Sequence, residues 1–163
     1  MNIKQCSFLW TKTAHVADPA KAHNSDAGYD LHVPHKTAVG DAIDIIVLNP
    51  GQRVILPLGI KVILPEGCFA MLCPRSVLAA SHGIGFVNGV GIIDNGYYGE
   101  LSVIVCNYSK EAFAIIPGMR IAQLVLVAMA EQGKDAHHIS DDLFNEIAQQ
   151  SDRGENGLGS TGL

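Results

Sequence analysis

The sequence predicts an all-β domain of short strands, a sandwich or a barrel, on three observations. Its apolar runs, such as VILPL and SVIVC, are short and rich in Val and Ile, the β-branched residues that strands prefer. Turn signals punctuate them at roughly 8–12-residue spacing, among them Asn49-Pro50-Gly51, Pro65-Glu66-Gly67 and Asn95-Gly96. Much of the proline falls between the runs, as expected of a residue confined to turns and edges. At 163 residues the chain is long enough for one domain with a real core, and it carries neither an internal repeat nor a linker.

Residues 3–13, mixed apolar and polar, read as an edge strand. Residues 14–25 read as a loop, marked by Asp18-Pro19 and Asn24-Ser25-Asp26. In Ala27-Gly28-Tyr29-Asp30-Leu31 a short strand is expected, with Gly28 permitting close backbone approach. Taken alone, Asp30 is a solvated turn carboxylate. Residues 32–50 suggest a strand, a turn near Gly40 and an apolar run over 43–48. Further strands are expected over 53–56 and 59–64, separated by Pro57, and over 68–73. From Pro74 to Ala80 a short helical turn fits, with Pro74 at its first position. Arg75 and Ser76 then stand where unpaired N–H groups favour anions, although a solvated loop arginine fits as well.

Residues 88–101, NGVGIIDNGYYGEL, read as a β-hairpin about a type I′ turn at Asn95-Gly96. That register pairs Asp94 with Tyr97 and sets Ile92 opposite Gly99, leaving space above the glycine. Alternation adds Asn88 to the same face. A carboxylate, a phenol and an amide beside a gap form a floor for a polar ring-shaped ligand; an ordinary hairpin with a turn-favouring Asp is the alternative. Beyond it, 101–105 extends the second strand, 113–116 is another, and 118–120 is a turn carrying Arg120. Residues 121–130 form a long apolar strand interrupted by Gln123, which if buried needs a partner in the protein or on a ligand. Over 141–150, Leu143, Phe144 and Ile147 have helical spacing with Asp141 and Asp142 as possible caps, and a strand also fits. The tail, 151–163, is too glycine-rich and too poor in apolar residues to order itself. It is either a frayed terminus or an arm whose amides, Arg153, Ser160 and Thr161 wrap a phosphate chain. With no Lys and no following helix it is not a P-loop.

A net charge of −5 argues against a general nucleic-acid binder but allows a small anionic ligand held by placed arginines. No apolar run approaches the roughly 18–20 residues of a membrane span, and the N-terminus lacks a signal-peptide pattern. Cys6, Cys68, Cys73 and Cys106 form no CxxC and no zinc spacing with a histidine. The last three sit in strand-like runs as expected free thiols, so a reducing, cytoplasmic setting is expected. The seven histidines show no metal spacing and read as surface or packing residues.

Five segments, in order, resemble the five motifs of the trimeric dUTPase family: AGYDL at 27–31, PRSVLA at 74–79, GIIDNGYYGE at 91–100, GMRIAQL at 118–124 and RGENGLGSTG at 153–162. The resemblance implies a jelly-roll-like β-barrel over 1–150 with a flexible C-terminal arm, 151–163, that closes the active site. It implies a homotrimer in which each site is built from all three chains. It also implies Mg²⁺-dependent hydrolysis of dUTP to dUMP and pyrophosphate. Under it Asp94 is similar to the general base acting on the attacking water, and Tyr97 to the aromatic that packs on the deoxyribose and excludes a 2′-hydroxyl. Asn88 matches a position that helps read the uracil edge. Arg75, Ser76 and Gln123 resemble phosphate contacts, with Arg120 in a more structural role. Arg153, Ser160 and Thr161 match the arm over the γ-phosphate, and Asp30 the acid associated with the metal's water shell.

Leu158 departs from the usual Phe that stacks on the uracil, and Asn156 from a usual Gly. Gly96, Tyr98 and Val77 are further departures, at positions of packing more than chemistry. The departures in the arm motivate an alternative, a non-enzymatic or regulatory nucleotide-binding protein of the same fold. A related dCTP deaminase is a further alternative; that branch activates water with a glutamate, whereas the acid expected to face the pocket here is Asp94.

Overall fold

A computed structural model describes residues 8–37, 39–129 and 138–149. The chain divides into two compact units, Met1–Ala130 and Glu131–Leu163. The first holds β1 (Leu9–Lys12), β2 (Gly28–His32), β3 (Ile46–Leu48), β4 (Arg53–Pro57), β5 (Ile60–Ile63) and β6 (Cys68–Pro74). Helix α1 (Ser76–His82) follows, then β7 (Ile84–Phe86), β8 (Gly91–Ile93), β9 (Ser102–Asn107), β10 (Phe113–Ile115) and β11 (Arg120–Ala128). The second unit contributes α2 (Asp141–Ala148).

The strands form four antiparallel sheets, ordered β2-β11-β6-β8, β4-β9-β7, β1-β5 and β10-β3. The all-β expectation holds, while the expected barrel is realised as four open sheets around one core. Period-two alternation builds that core. Along β6, Cys68, Ala70 and Leu72 are buried while Phe69, Met71 and Cys73 are less so; along β5, Ile60 and Val62 point in and Lys61 and Ile63 out. Leu58, Leu101, Val105, Ile115, Ile121 and Leu124 complete its centre. The one buried polar side chain among the described residues, Asn107, is fully satisfied. Its amide donates to the carbonyls of Leu48 at 2.8 Å and Glu111 at 2.7 Å, and its oxygen accepts from Ser109.

Several elements differ from expectation. The strand expected after residue 32 is replaced by isolated bridges joining Lys36 to His15 and Ala42. Pro74 ends β6, paired with Ala122, and Arg75 is the N-cap, so Ser76 rather than Pro74 opens α1. The helical reading of 141–150 holds, but Ser140 is its cap, accepting from the Leu143 N–H at 3.3 Å; Asp141 and Asp142 lie in the first turn. Cys68, Cys73 and Cys106 are free thiols, two buried and Cys73 partly so, and Cys6 lies outside the described residues. No helix among the described residues is long and apolar enough to cross a membrane.

The hairpin expectation is corrected most. The Tyr97 N–H does donate to the Asp94 carbonyl, at 3.1 Å, about an Asn95-Gly96 turn. Only Gly96 has a positive φ, 92°, which is the type II pattern rather than type I′. No ladder follows: β8 pairs with β6, and β9 with β4 and β7. Primed turns are selected by the twist of two paired strands, and here the flanking strands leave for different sheets. The Asn95 side chain serves another purpose, donating to the Pro65 carbonyl at 2.7 Å and so fixing the turn beside the start of β6.

Candidate active site

Three neighbouring strands bring the phosphate candidates together. Gln123 on β11 stands opposite Asp30 on β2 and Cys73 on β6, so the three share one face, with Arg75 just beyond the end of β6. By strict alternation Arg120 and Gln123, three residues apart, would face opposite sides. A register shift between Arg120 and Ala122 inserts one residue, and both side chains line the same cleft. That cleft has a volume of about 310 Å³ and is lined by Asp26, Asp30, Arg75, Ser76, Arg120 and Gln123.

Asp30 organises it. One carboxylate oxygen accepts from the Arg75 guanidinium, and the other accepts from Arg120 at 3.1 Å. Asp30 and Arg75 are only 18% and 19% exposed, so each charge depends on the other for compensation. The expected metal-shell acid thus spends two of roughly four acceptor positions on arginines. Gln123 donates one N–H to the Pro74 carbonyl at 3.3 Å while it lines the cleft. Gly28 makes this possible: a Cβ there would stand 2.5 Å from the Gln123 Oε1. Burial lowers the pKa of nearby His32 below its ordinary value, with Arg120 and Arg75 adding to the effect against the opposing pull of Asp30.

Asp94, Tyr97 and Asn88 do not line this cleft. The expected parity holds on β8, where Ile93 is buried and Ile92, like Asn88 and Asp94, is exposed. The pairing of Ile93 with Ala70, continued by one residue, sets Asp94 beside Phe69. Pro74 lies five residues further along β6, roughly 17 Å at about 3.3 Å per residue. Within one chain the candidate base and the arginine cleft are therefore at opposite ends of a strand. The gap expected above Gly99 is filled by the Tyr97 ring, whose hydroxyl donates to the Glu100 carbonyl at 3.1 Å. The Glu100 carboxylate accepts the Gly59 N–H at 2.9 Å. Arg153, Leu158, Ser160 and Thr161 lie outside the described residues.

Nothing local in the sequence signals the Asp30–Arg120 pair, whose members are 90 positions apart, or the role of Glu100. Among the described residues no group of three or more His, Cys, Asp or Glu side chains is arranged to cage a metal.

Comparison with known proteins bears on the family and the fold. The dUTPase family profile matches residues 14–162. The deoxyuridine 5′-triphosphate nucleotidohydrolase of Beijerinckia indica is 42% identical over 151 residues, covering 90% of this chain and 84% of that protein. The protein of the same name from Roseobacter denitrificans is 40% identical over 162 residues, 99% of each chain. A mutant dUTPase of Staphylococcus bacteriophage 80alpha, solved with dUpNHpp, superposes with a TM-score of 0.74 at 23% identity, covering 96% of this chain and 99% of that one. A mutant dUTPase from phage phi11 of S. aureus, in which a structural Mg(II) ion is coordinated, gives 0.68 at 21% identity over 83% of this chain and 99% of its own. With the profile spanning almost the whole sequence and relatives this similar along most of their lengths, the chain belongs to the dUTPase family.

Proposed function

We propose that the protein hydrolyses dUTP to dUMP and pyrophosphate in sites shared between the subunits of a homotrimer. The observation that carries this reading is the division of the chemistry within one chain. A base must lie within hydrogen-bond reach of the attacking water, and Asp94 is roughly 17 Å along β6 from the arginine cleft. Two copies supply what one does not: Asp94, Tyr97 and Asn88 from one, and Arg75, Ser76 and Gln123 from the next. The arm carrying Arg153, Ser160 and Thr161, with Leu158 at the uracil, comes from the third.

In this reading the Asp94 carboxylate accepts a proton from water as its oxygen attacks the α-phosphorus. The bond from that phosphorus to the bridging oxygen breaks, and pyrophosphate leaves. Arg75, Gln123 and Ser76 bind the phosphate oxygens, where positioning and charge neutralisation carry most of the catalysis. Asp30 holds the Arg75 fork in place, and Arg120 anchors Asp30 from the other side. Tyr97 packs on the deoxyribose, and Asn88 reads the uracil edge.

The charges lining the cleft are two arginines and two aspartates, which cancel. A triphosphate therefore needs positive charge from elsewhere, and Arg153 and Mg²⁺ fit that need. Mg²⁺ keeps several waters and binds mainly through substrate phosphates, so the lack of a protein cage among the described residues suits it. Asp30 retains acceptor positions for one of those waters. When bound, the ion neutralises charge on the triphosphate.

The test is turnover of dUTP, dCTP and UTP with Mg²⁺ in ¹⁸O-water. Expected are dUMP and pyrophosphate from dUTP, with the label in dUMP. Label in pyrophosphate would overturn attack at the α-phosphorus. Deamination of dCTP, or binding of dUTP without turnover, would favour the two alternative readings.

A further inference from the structure

We infer that Gly99 is a specificity-determining position, kept without a side chain so that the Tyr97 ring lies against the backbone and cannot yield to a ribose. The inference rests on the reading of Tyr97 as the surface that packs on the sugar. Gly96, in the adjacent turn, has a positive φ; Gly99 does not. Its backbone would therefore accept any L-residue, and the reason for glycine lies elsewhere. A Cβ at position 99 would meet the Tyr97 hydroxyl, and would lie 2.6 Å from Cζ and 3.0 Å from Cε2 of the same ring. A planar ring moves as one body, so a methyl group there must lift it.

The ring is otherwise held at both ends. At its base the Tyr97 N–H closes the turn onto Asp94. At its tip the hydroxyl donates to the Glu100 carbonyl. Glu100 is itself fixed, its carboxylate on the Gly59 N–H and the next residue, Leu101, fully buried and exchanging backbone bonds with Leu58 and Ile60 at 2.9 Å. Yet Tyr97 is 47% exposed. One side of the ring rests on the chain and the remainder is open. A half-exposed tyrosine without these contacts changes rotamer freely, and a wall that swings aside does not exclude one extra hydroxyl. Gly99 and the Glu100 carbonyl turn a mobile ring into a fixed one.

The measurement is kcat/KM for dUTP and for UTP, on the full-length protein and on Gly99→Ala. Expected is a fall of about tenfold or more in the dUTP:UTP ratio, within the roughly hundredfold that a packed pocket achieves against an added hydroxyl. Turnover of UTP should rise in absolute terms. A loss of structure alone would lower both nucleotides in parallel, and that result, or an unchanged ratio, overturns the inference. Should Gly99→Ala fail to fold, Tyr97→Phe carries the test, because it removes the tether to Glu100 without adding a Cβ. The ratio should again fall, and an unchanged ratio is contrary. If the unaltered protein itself fails to prefer dUTP over UTP, the sugar-packing role of Tyr97 is wrong and the inference falls with it. Preference retained in Gly99→Ala removes the inference alone.

Discussion

Asp94→Asn is expected to lower kcat by roughly 10²–10⁴ while leaving dUTP affinity within a few fold. Asn keeps the shape of Asp and can still orient a water, but it cannot take a proton. The Asp94 side chain is exposed, and only its backbone carbonyl is needed to close the turn with Tyr97, so the substitution removes no packing. Single-turnover kinetics beside equilibrium nucleotide binding separates the two effects. Turnover close to that of the unaltered protein would remove Asp94 as the base.

Arg75→Ala is expected to reduce kcat/KM for dUTP by about 10²–10³, the range seen when one placed charge-stabilising donor is removed. Arg75 is mostly covered and its guanidinium is committed to Asp30, so it is presented to the cleft in one orientation. Arg75→Lys should recover little, because an ammonium lacks the planar fork needed to hold a carboxylate and a phosphate together. Asp30 keeps Arg120 as a partner in either variant, so the fold should survive, as circular dichroism would show. A kcat/KM within about fivefold of the unaltered value would mean that Arg75 serves structure only.

The sequence exposes local chemistry well and long-range pairing poorly. Short apolar runs bounded by turn signals identified β5, β6 and β11. The helical spacing of Leu143, Phe144 and Ile147 likewise marked α2. The resemblance put Asp30, Arg75, Ser76 and Gln123 in one catalytic assembly, and the strand register brings their side chains to one cleft. What sequence does not reveal is which strands pair. Asn95-Gly96 between two apolar runs has the composition of a hairpin, yet β8 and β9 join separate sheets, a choice made by core packing far from the turn. The bulge that carries Arg120 into the cleft is equally hidden. It appears only as two consecutive buried residues, Ile121 and Ala122, inside a run apolar on both sides. The glycines followed the same pattern. Gly96 is required by its own φ, as a turn glycine should be, whereas Gly28 and Gly99 leave the close approach and the space that the sequence suggests, with Gln123 and Tyr97 as the occupants it does not name.

The division of each site between chains is tested most directly by co-expressing Asp94→Asn and Arg75→Ala chains. In the proposed homotrimer, each variant alone would have three defective sites. In mixed trimers, a site that takes Asp94 from one subunit and Arg75 from another is intact whenever the subunit supplying Asp94 carries the Arg75 defect and the subunit supplying Arg75 carries the Asp94 defect. Random assembly at equal expression should then restore roughly a quarter of the unaltered activity. If Asp94 and Arg75 of a single chain served one nucleotide, no arrangement of the two variants would bring an intact pair together. Mixed assemblies as inactive as either parent would contradict the shared site.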